Sequence, residues 1–222
     1  MELFCFNINR VIKAQKPYNH TLTDHYWVAA MVGFCVALSG QMLHALTIGL
    51  AYIIRGGKNR RVYAKDLVTE GMFNHCRNPL YLGNILMIAG LSLVANSPLM
   101  LFVGLPLFIF AYYCITKAEE TFLFEKFGSA YTDFCTYVPR FIPRFSGISE
   151  TLQCMTFNWK RLVVKEYNTT FTWLAATVLL ILRSQYIITN QLDHRTITFG
   201  TEAMILLIIA YGLARFLKKN KI

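Results

Sequence analysis

A stretch with no charged side chain decides the fold of this 222-residue chain. Residues 80–116 read LYLGNILMIAGLSLVANSPLMLFVGLPLFIFAYYCIT. A helix needs about 20 apolar residues to cross a bilayer, so this stretch is too long for a single span. Asn96-Ser97-Pro98 lies in its middle and is typical of a turn. The stretch therefore predicts a tight hairpin of two membrane helices.

Three further apolar stretches are long enough for membrane helices, and they cover residues 27–54, 171–188 and 199–217. The first is either one tilted helix or a helix broken near Ser39-Gly40. Together with the hairpin they give about five spans, so we predict an all-α, polytopic transmembrane protein. We expect one domain, with an N-terminal segment 1–26, a core 27–145 and a C-terminal extension 146–222 that carries two spans.

Composition agrees with a membrane protein, because 15% of the residues are charged where a soluble domain has about 25%. The net charge is +10. The basic residues flank apolar runs, which indicates an anionic bilayer surface as partner and no nucleic acid. They cluster within 58–65, 140–165 and 218–221. Five spans place these three regions on one side of the membrane, and the positive-inside rule predicts that this side is cytoplasmic. Arg10, Lys13 and Lys16 conflict with that orientation unless the first segment is broken and returns.

The six cysteines form no CxxC pair, so we predict neither a zinc site nor another metal site. Residues 1–25 have no apolar core followed by a cleavage site, so no removable signal peptide is expected. Gln41 and His44 lie inside the first span, where we expect them to hydrogen-bond a neighbouring helix.

The first segment that could carry chemistry is the polar loop 65–83, which leads directly into a membrane helix. Pro79 suits the first turn of that helix, and Asn78 is then its predicted N-cap. Free amides at a helix N-terminus can bind a carboxylate. The alternative is an ordinary capped loop at the membrane surface.

The second segment, 117–131, continues from the hairpin as a predicted amphipathic helix. Glu119 and Glu120 sit where the span ends, and a carboxylate near lipid needs a partner. That partner is either a ligand ammonium group or a nearby lysine or arginine.

The third segment, 137–144, has two prolines and is predicted to be a rigid, extended surface segment. Its Arg140 and Arg144 can hold a phosphate or carboxylate headgroup. The alternative is a basic anchor on the membrane surface.

Taken together, these segments resemble the membrane methyltransferases that include isoprenylcysteine carboxyl methyltransferase and phospholipid N-methyltransferase. That family shows Leu-Val-x-x-Gly-x-Tyr and Arg-His-Pro-x-Tyr-x-Gly, then Glu-Glu-x-x-Leu-x-x-x-Phe-Gly-x-x-Tyr and Val-Pro-x-x-x-Pro. This chain reads LVTEGMF at 67–73, RNPLYLG at 77–83, EETFLFEKFGSAY at 119–131 and VPRFIP at 138–143.

The resemblance implies S-adenosyl-L-methionine as cofactor, bound in a pocket on the cytoplasmic side, and a lipophilic substrate that enters from the membrane. It implies cofactor contacts at Lys65, Asp66, Leu67, Val68, Phe73, Asn78, Pro79, Leu80, Tyr81 and Glu119. Three positions depart from the family: Asn78 replaces a histidine, Phe73 a tyrosine, and Ile115 an arginine associated with the substrate. The methyl acceptor is therefore open among a carboxylate, an amine and a hydroxyl group.

The predicted catalytic side chains are Glu120, Tyr81 and Arg140. An amine or hydroxyl acceptor needs a general base, for which Glu120, Tyr81 and His75 are the nearest candidates, and Arg140 can hold a headgroup. Two other functions stay open, namely a membrane reductase of the sterol-reductase type that uses NADPH, and a non-catalytic membrane scaffold.

Overall fold

The computed structural model describes residues 21–51, 55–58, 61–64 and 66–220, with 55–58 and 61–64 described by their backbone. Lys65, one of the predicted cofactor contacts, lies outside this part of the chain.

Seven helices dominate the described part of the chain. They are α1 (Tyr26–Leu50), α2 (Pro79–Val94), α3 (Leu105–Phe127), α4 (Ser129–Tyr137), α5 (Ile148–Cys154), α6 (Trp159–Thr189) and α7 (His194–Lys219). A 3-10 turn, Gly71–Asn74, precedes α2, and a π-helical turn, Met100–Gly104, precedes α3. The prediction of a helical protein is thus confirmed for every long element.

The departure from an all-helical chain is a short antiparallel hairpin between α1 and the 3-10 turn. Its strands are β1 (Arg55–Lys58) and β2 (Arg61–Ala64), with Arg55 opposite Ala64. Gly56 and Gly57 disfavour helix at this point, because glycine loses more backbone entropy than other residues when it becomes helical.

Four described helical stretches are long and apolar enough to cross a bilayer: α1, Met100–Phe127, α6 and α7. They indicate an integral membrane protein. The remaining predicted span is α2, whose 16 residues extend about 24 Å, less than the hydrocarbon thickness of about 30 Å. The count of five spans therefore stays a prediction.

The predicted stretches locate α1 and the hairpin, whereas α6 and α7 both extend beyond the stretches predicted for them. Helix α1 runs unbroken through Ser39-Gly40, and the hairpin turns at Asn96, whose φ of 49° is left-handed. The Asn96 amide also donates to the Thr23 carbonyl at 2.6 Å. Helix α6 begins at Trp159, well before the predicted residue 171, because its first turns are polar and lie outside the apolar run.

Small residues hold α1 and α2 in close antiparallel contact. Gly33 and Gly40 on α1 face Gly90 and Gly83 on α2, and a Cβ atom at any of the four would overlap atoms of the opposite helix. Each pair of glycines is seven residues apart and so lies on one helical face. Such small-residue seams let membrane helices approach closely without a hydrophobic driving force.

Helix α6 runs along this pair and α7 returns beside it. Arg161 near the start of α6 donates to the Gly49 carbonyl at 2.8 Å. At the other end Ser184 donates to the Val94 carbonyl at 3.1 Å. The end of α1 and the starts of α2 and α6 therefore meet at one face of the bundle, where the candidate site lies.

Candidate cofactor site

Predicted site residues from two separate segments, 65–83 and 117–131, line a single recess at this face. The recess is narrow, because about 20 Å³ of it admits a water-sized group, within about 400 Å³ that includes interatomic gaps and open solvent. Seven of the predicted residues line it: Asp66, Leu67, Val68, Phe73, Asn78, Glu119 and Glu120. Arg77, Leu123, Tyr131 and Phe134 complete the described wall. The loop before α2 and the end of α3 thus form opposite sides of one site.

Glu119 is the buried acid of the recess, with 8% of its surface exposed. The hydroxyl of Tyr81 donates to its Oε1 at 2.7 Å. Because Tyr81 is on α2 and Glu119 on α3, this bond ties the two helices of the hairpin together and fixes the carboxylate at the recess wall.

Glu120 also lines the recess and is held by two arginines. Arg140 binds it with two nitrogens, Nε to Oε1 at 2.9 Å and Nη2 to Oε2 at 2.7 Å. Arg77 adds a contact from Nη1 to Oε1 at 3.2 Å. The hydrogen bond to Glu120 raises the pKa of Arg140. For Glu120 the structure therefore gives the arginine network that the sequence left as an alternative.

Replacing Glu120 by alanine is expected to lower the free energy of unfolding by about 2 kcal/mol, because two largely buried guanidinium groups lose their counter-charge. The side chains of Arg77 and Arg140 are 15% and 29% exposed, which moderates the loss. The thermal unfolding midpoint of the purified protein measures it. Glu125→Ala on the exposed side of the same helix is the control, and equal midpoints for the two variants would contradict a stabilising triad.

The segment 138–144 packs through its backbone against the loop 75–78, while Ile142 and Arg144 stay exposed at the surface. The amide of Arg77 donates to the Pro139 carbonyl and that of Arg144 to the His75 carbonyl, both at 2.9 Å. Asn78 occupies the N-cap position of α2, but its side chain makes no capping bond there. Instead its amide donates to the Arg140 carbonyl at 3.3 Å.

Both ring nitrogens of His75 are engaged in this packing. Nδ1 lies 2.8 Å from the Arg144 carbonyl and Nε2 lies 2.8 Å from the Thr151 hydroxyl. His75 therefore joins the loop to α5 and is poorly placed to act as a base in the recess.

Two further titratable groups near the recess stay protonated at neutral pH. Burial raises the pKa of the Cys76 thiol to about 11. Burial also raises the pKa of the Tyr131 hydroxyl, and neighbouring Cys135 and Glu120 raise it further. Neither group offers a ready nucleophile or base.

The other predicted contacts lie beside the recess and do not line it. Pro79 and Leu80 form the first turn of α2. Tyr81 contacts the recess residue Glu119, and Arg140 contacts the recess residue Glu120. Two residues that line the recess were not predicted as cofactor contacts. Tyr131 belongs to the family motif at 119–131, whereas nothing in the sequence pointed to Phe134.

Among the residues that the structure describes, no group of three or more His, Cys, Asp or Glu side chains is arranged to hold a metal ion. The predicted absence of a metal site stays a prediction for the chain as a whole.

Comparison with known proteins adds a family and two relatives. Residues 25–130 match the family model described as phospholipid methyltransferase. The cobalt-zinc-cadmium resistance protein CzcN of Cupriavidus metallidurans is 32% identical over 144 residues, which cover 61% of this chain and 60% of CzcN. The nickel-cobalt-cadmium resistance protein NccN of Alcaligenes xylosoxydans xylosoxydans is 29% identical over 133 residues, 57% of each chain.

This chain thus spans less than two thirds of the length of these curated relatives. Their names refer to resistance to metal ions and specify no methyl acceptor. No solved structure matches the chain.

Proposed function

We propose that this protein is an S-adenosylmethionine-dependent membrane methyltransferase acting on a lipid-like substrate, because residues 25–130 match the phospholipid methyltransferase family model. One observation carries the proposal. Segments that are distant in sequence and that the family resemblance singles out line one recess at the end of the α2–α3 hairpin.

The residues of the recess fit the proposed cofactor. The buried carboxylate of Glu119 suits a cationic group, because an ammonium ion would balance its charge. The N-terminal turn of α2 and the side-chain amide of Asn78 suit a carboxylate. Apolar walls that include Leu67, Leu123 and Phe134 suit the flat face of an adenine ring. When bound, the cofactor supplies a methyl group already activated on a sulfonium centre.

The role of the protein is then to bind and align the reacting partners. We assign Tyr81 the task of holding Glu119 in its orientation. Glu120 and Arg140, which were predicted as catalytic, brace the wall between α3 and the 138–144 segment. Their contacts with each other support positioning more than proton transfer, since the lone pairs of Glu120 already accept from guanidinium groups.

We further propose that the recess faces the cytoplasm and that the lipophilic substrate arrives through the bilayer. Three basic residues, Arg144, Lys160 and Lys219, stand beside the helix ends nearest the recess, and the positive-inside rule favours the cytoplasm for a basic end. Apolar side chains of α3, such as Leu107 and Phe110, are exposed on the surface of the helix, where a bilayer would contact them.

The family match favours methyl transfer over the NADPH-dependent reductase and over the scaffold. The thermal unfolding midpoint of the purified protein, measured with S-adenosylhomocysteine or with NADPH, distinguishes the methyltransferase, the reductase and the scaffold. We expect stabilisation by S-adenosylhomocysteine, which reaches about 2.7 kcal/mol at a hundredfold excess over its Kd. Incubation of the protein with methyl-labelled cofactor and a total lipid extract should then yield a labelled lipid. Stabilisation by NADPH instead, or by neither ligand, would overturn the proposal.

A further inference from the structure

A chain of hydrogen bonds between buried polar side chains links helix α6 to the first turn of α2. The two polar residues of the first span, Gln41 and His44, bond a neighbouring helix as predicted, and both contact Glu166 of α6. Glu166 Oε2 lies 3.1 Å from His44 Nδ1 and 3.3 Å from Gln41 Nε2. The other ring nitrogen of His44, Nε2, lies 2.8 Å from the Leu80 carbonyl. His44 thus joins an acid of the C-terminal extension to the helix that begins at the recess.

The pair of His44 and Glu166 is deeply buried, with 5% and 6% of their surfaces exposed. Glu166 lines a groove between α1, α6 and α7, and most of the other described residues of that groove are apolar or aromatic. An ionisable side chain within a membrane span is costly, and it marks a functional position more often than a structural one. Apolar side chains of similar size would pack α1 against α6 at no greater cost. A purely structural role therefore explains the pair poorly.

The ring of His44 is confined on the side of α2. A Cβ atom at Gly83 would overlap the Cδ2 atom of this ring, so the ring lies directly against α2 one turn beyond its start. The Leu80 carbonyl can only accept a hydrogen bond, so Nε2 of His44 is the donor. Nδ1 then faces Glu166, whichever of the two groups carries the hydrogen between them. The acid therefore fixes the ring that holds the first turn of α2.

This first turn also carries the side chain that orients the buried acid of the recess. Tyr81 follows Leu80 on α2, and its hydroxyl donates to Glu119 Oε1 at 2.7 Å. A shift or rotation of the turn would move this hydroxyl together with the N-terminal amides of α2. Because a hydrogen bond weakens steeply as its angle departs from linear, a small displacement is enough to release Glu119 from its orientation.

We propose that Glu166 is a positioning residue for the cofactor site, and that it acts through His44 and the first turn of α2 on Tyr81. Glu166 itself does not line the recess. Helix α6 also lies outside residues 25–130, which match the family model. The C-terminal extension thus sets the geometry of a site that the matched segment builds. This inference rests on the proposed function, because the site that Glu166 adjusts is the proposed cofactor site.

Titration calorimetry of the full chain with S-adenosylhomocysteine compares three variants. Glu166→Leu removes the partner of His44 Nδ1 at similar size, and we expect it to raise the Kd about tenfold, a common size for coupling between separate sites. Glu166→Gln can still bond Nδ1 and should restore an affinity close to that of the parent protein. Glu202→Leu replaces an exposed acid on α7 and is the matched control, which should leave the Kd unchanged.

A double-mutant cycle with Tyr81→Phe separates positioning from a general loss of stability. If Glu166 acts through the Tyr81 hydroxyl, Glu166→Leu should weaken binding much less in the Tyr81→Phe background than in the parent protein. Equal losses in the two backgrounds, or an unchanged Kd for Glu166→Leu, would overturn the proposal. If Glu166→Leu does not fold, His44→Phe takes its place in the cycle, since it keeps a flat ring against Gly83 and lacks the bond to Leu80.

A measurement without cofactor distinguishes failure of this inference from failure of the proposed function. Fluorotyrosine in place of Tyr81 reports the bond to Glu119 through its fluorine NMR resonance. Glu166→Leu should shift this resonance, whereas Glu166→Gln and Glu202→Leu should not. A shifted resonance in a protein that does not bind S-adenosylhomocysteine would support the link from α6 to Tyr81 and reject the proposed cofactor. An unmoved resonance would overturn the link, even in a protein that binds the cofactor.

Discussion

Glu119→Gln is expected to weaken the binding of S-adenosylmethionine about 100-fold, which corresponds to about 2.8 kcal/mol. The buried Glu119 carboxylate is the acid at the recess wall that the Tyr81 hydroxyl orients. Replacing it with an amide keeps the shape and the contact to Tyr81 but removes the negative charge that we propose balances the ammonium group of the cofactor. A hydrogen bond to a charged group contributes about 1.5–3 kcal/mol, so the charge itself dominates the loss.

Titration calorimetry of the purified protein with S-adenosylhomocysteine measures this effect without turnover. Glu125→Gln is the matched control, because Glu125 lies on the same helix with its side chain exposed. Tyr81→Phe should give a smaller loss, since Glu119 keeps its charge and loses one orienting bond. Unchanged affinity of the Glu119 variant would remove it from the cofactor site, whatever the activity.

Gly90→Leu is expected to prevent the pairing of α1 and α2 and to lower stability by about 3 kcal/mol or more, the upper limit of ordinary overpacking. A Cβ atom at Gly90 would overlap the backbone of Gly33 and Ala37. Backbone atoms cannot move aside as a flexible side chain can, so the helices themselves must separate. Separation would also break the contact of His44 with Leu80 at the start of α2.

The fraction of folded, monodisperse protein after extraction and its thermal unfolding midpoint measure the outcome. Gly212→Leu on α7 is the control, because an added Cβ there meets no atom within 4 Å. Alanine variants give a second comparison, because alanine in a helix is more stable than glycine by about 1 kcal/mol. Gly212→Ala should be neutral or stabilising and Gly90→Ala destabilising. A well-folded Gly90→Leu variant would contradict close packing of α1 and α2.

The sequence predicted much of the candidate site because its polar residues interrupt long apolar runs. Asn78 and Glu119 stand at the two ends of the uncharged stretch, so their place at one face of the bundle followed once that stretch was taken as a hairpin. Phe134 could not be predicted in the same way. It reaches the recess because the chain turns at Gly128, whose φ of 56° lets α4 leave the line of α3.

The hydrogen-bond and ion-pair partners of the buried acids could not be predicted from the sequence either. Glu119 and Glu120 are adjacent and chemically identical, yet one accepts from Tyr81 and the other from Arg77 and Arg140. Successive residues on a helix point about 100° apart, so the two side chains enter different surroundings. Likewise His44 and Glu166 are 122 positions apart, and no local pattern relates them.

By itself, the sequence determined that this is a helical membrane protein and which apolar runs its long helices contain. A bilayer leaves backbone groups no water to bind, so an apolar run of sufficient length has to become a helix. Only the tertiary structure decided that the short α2 packs along α1 through glycines, that an arginine pair holds Glu120, and that Glu166 faces a groove. These outcomes depend on distances of a few ångströms between distant segments, and apolarity along the chain carries no information about such distances.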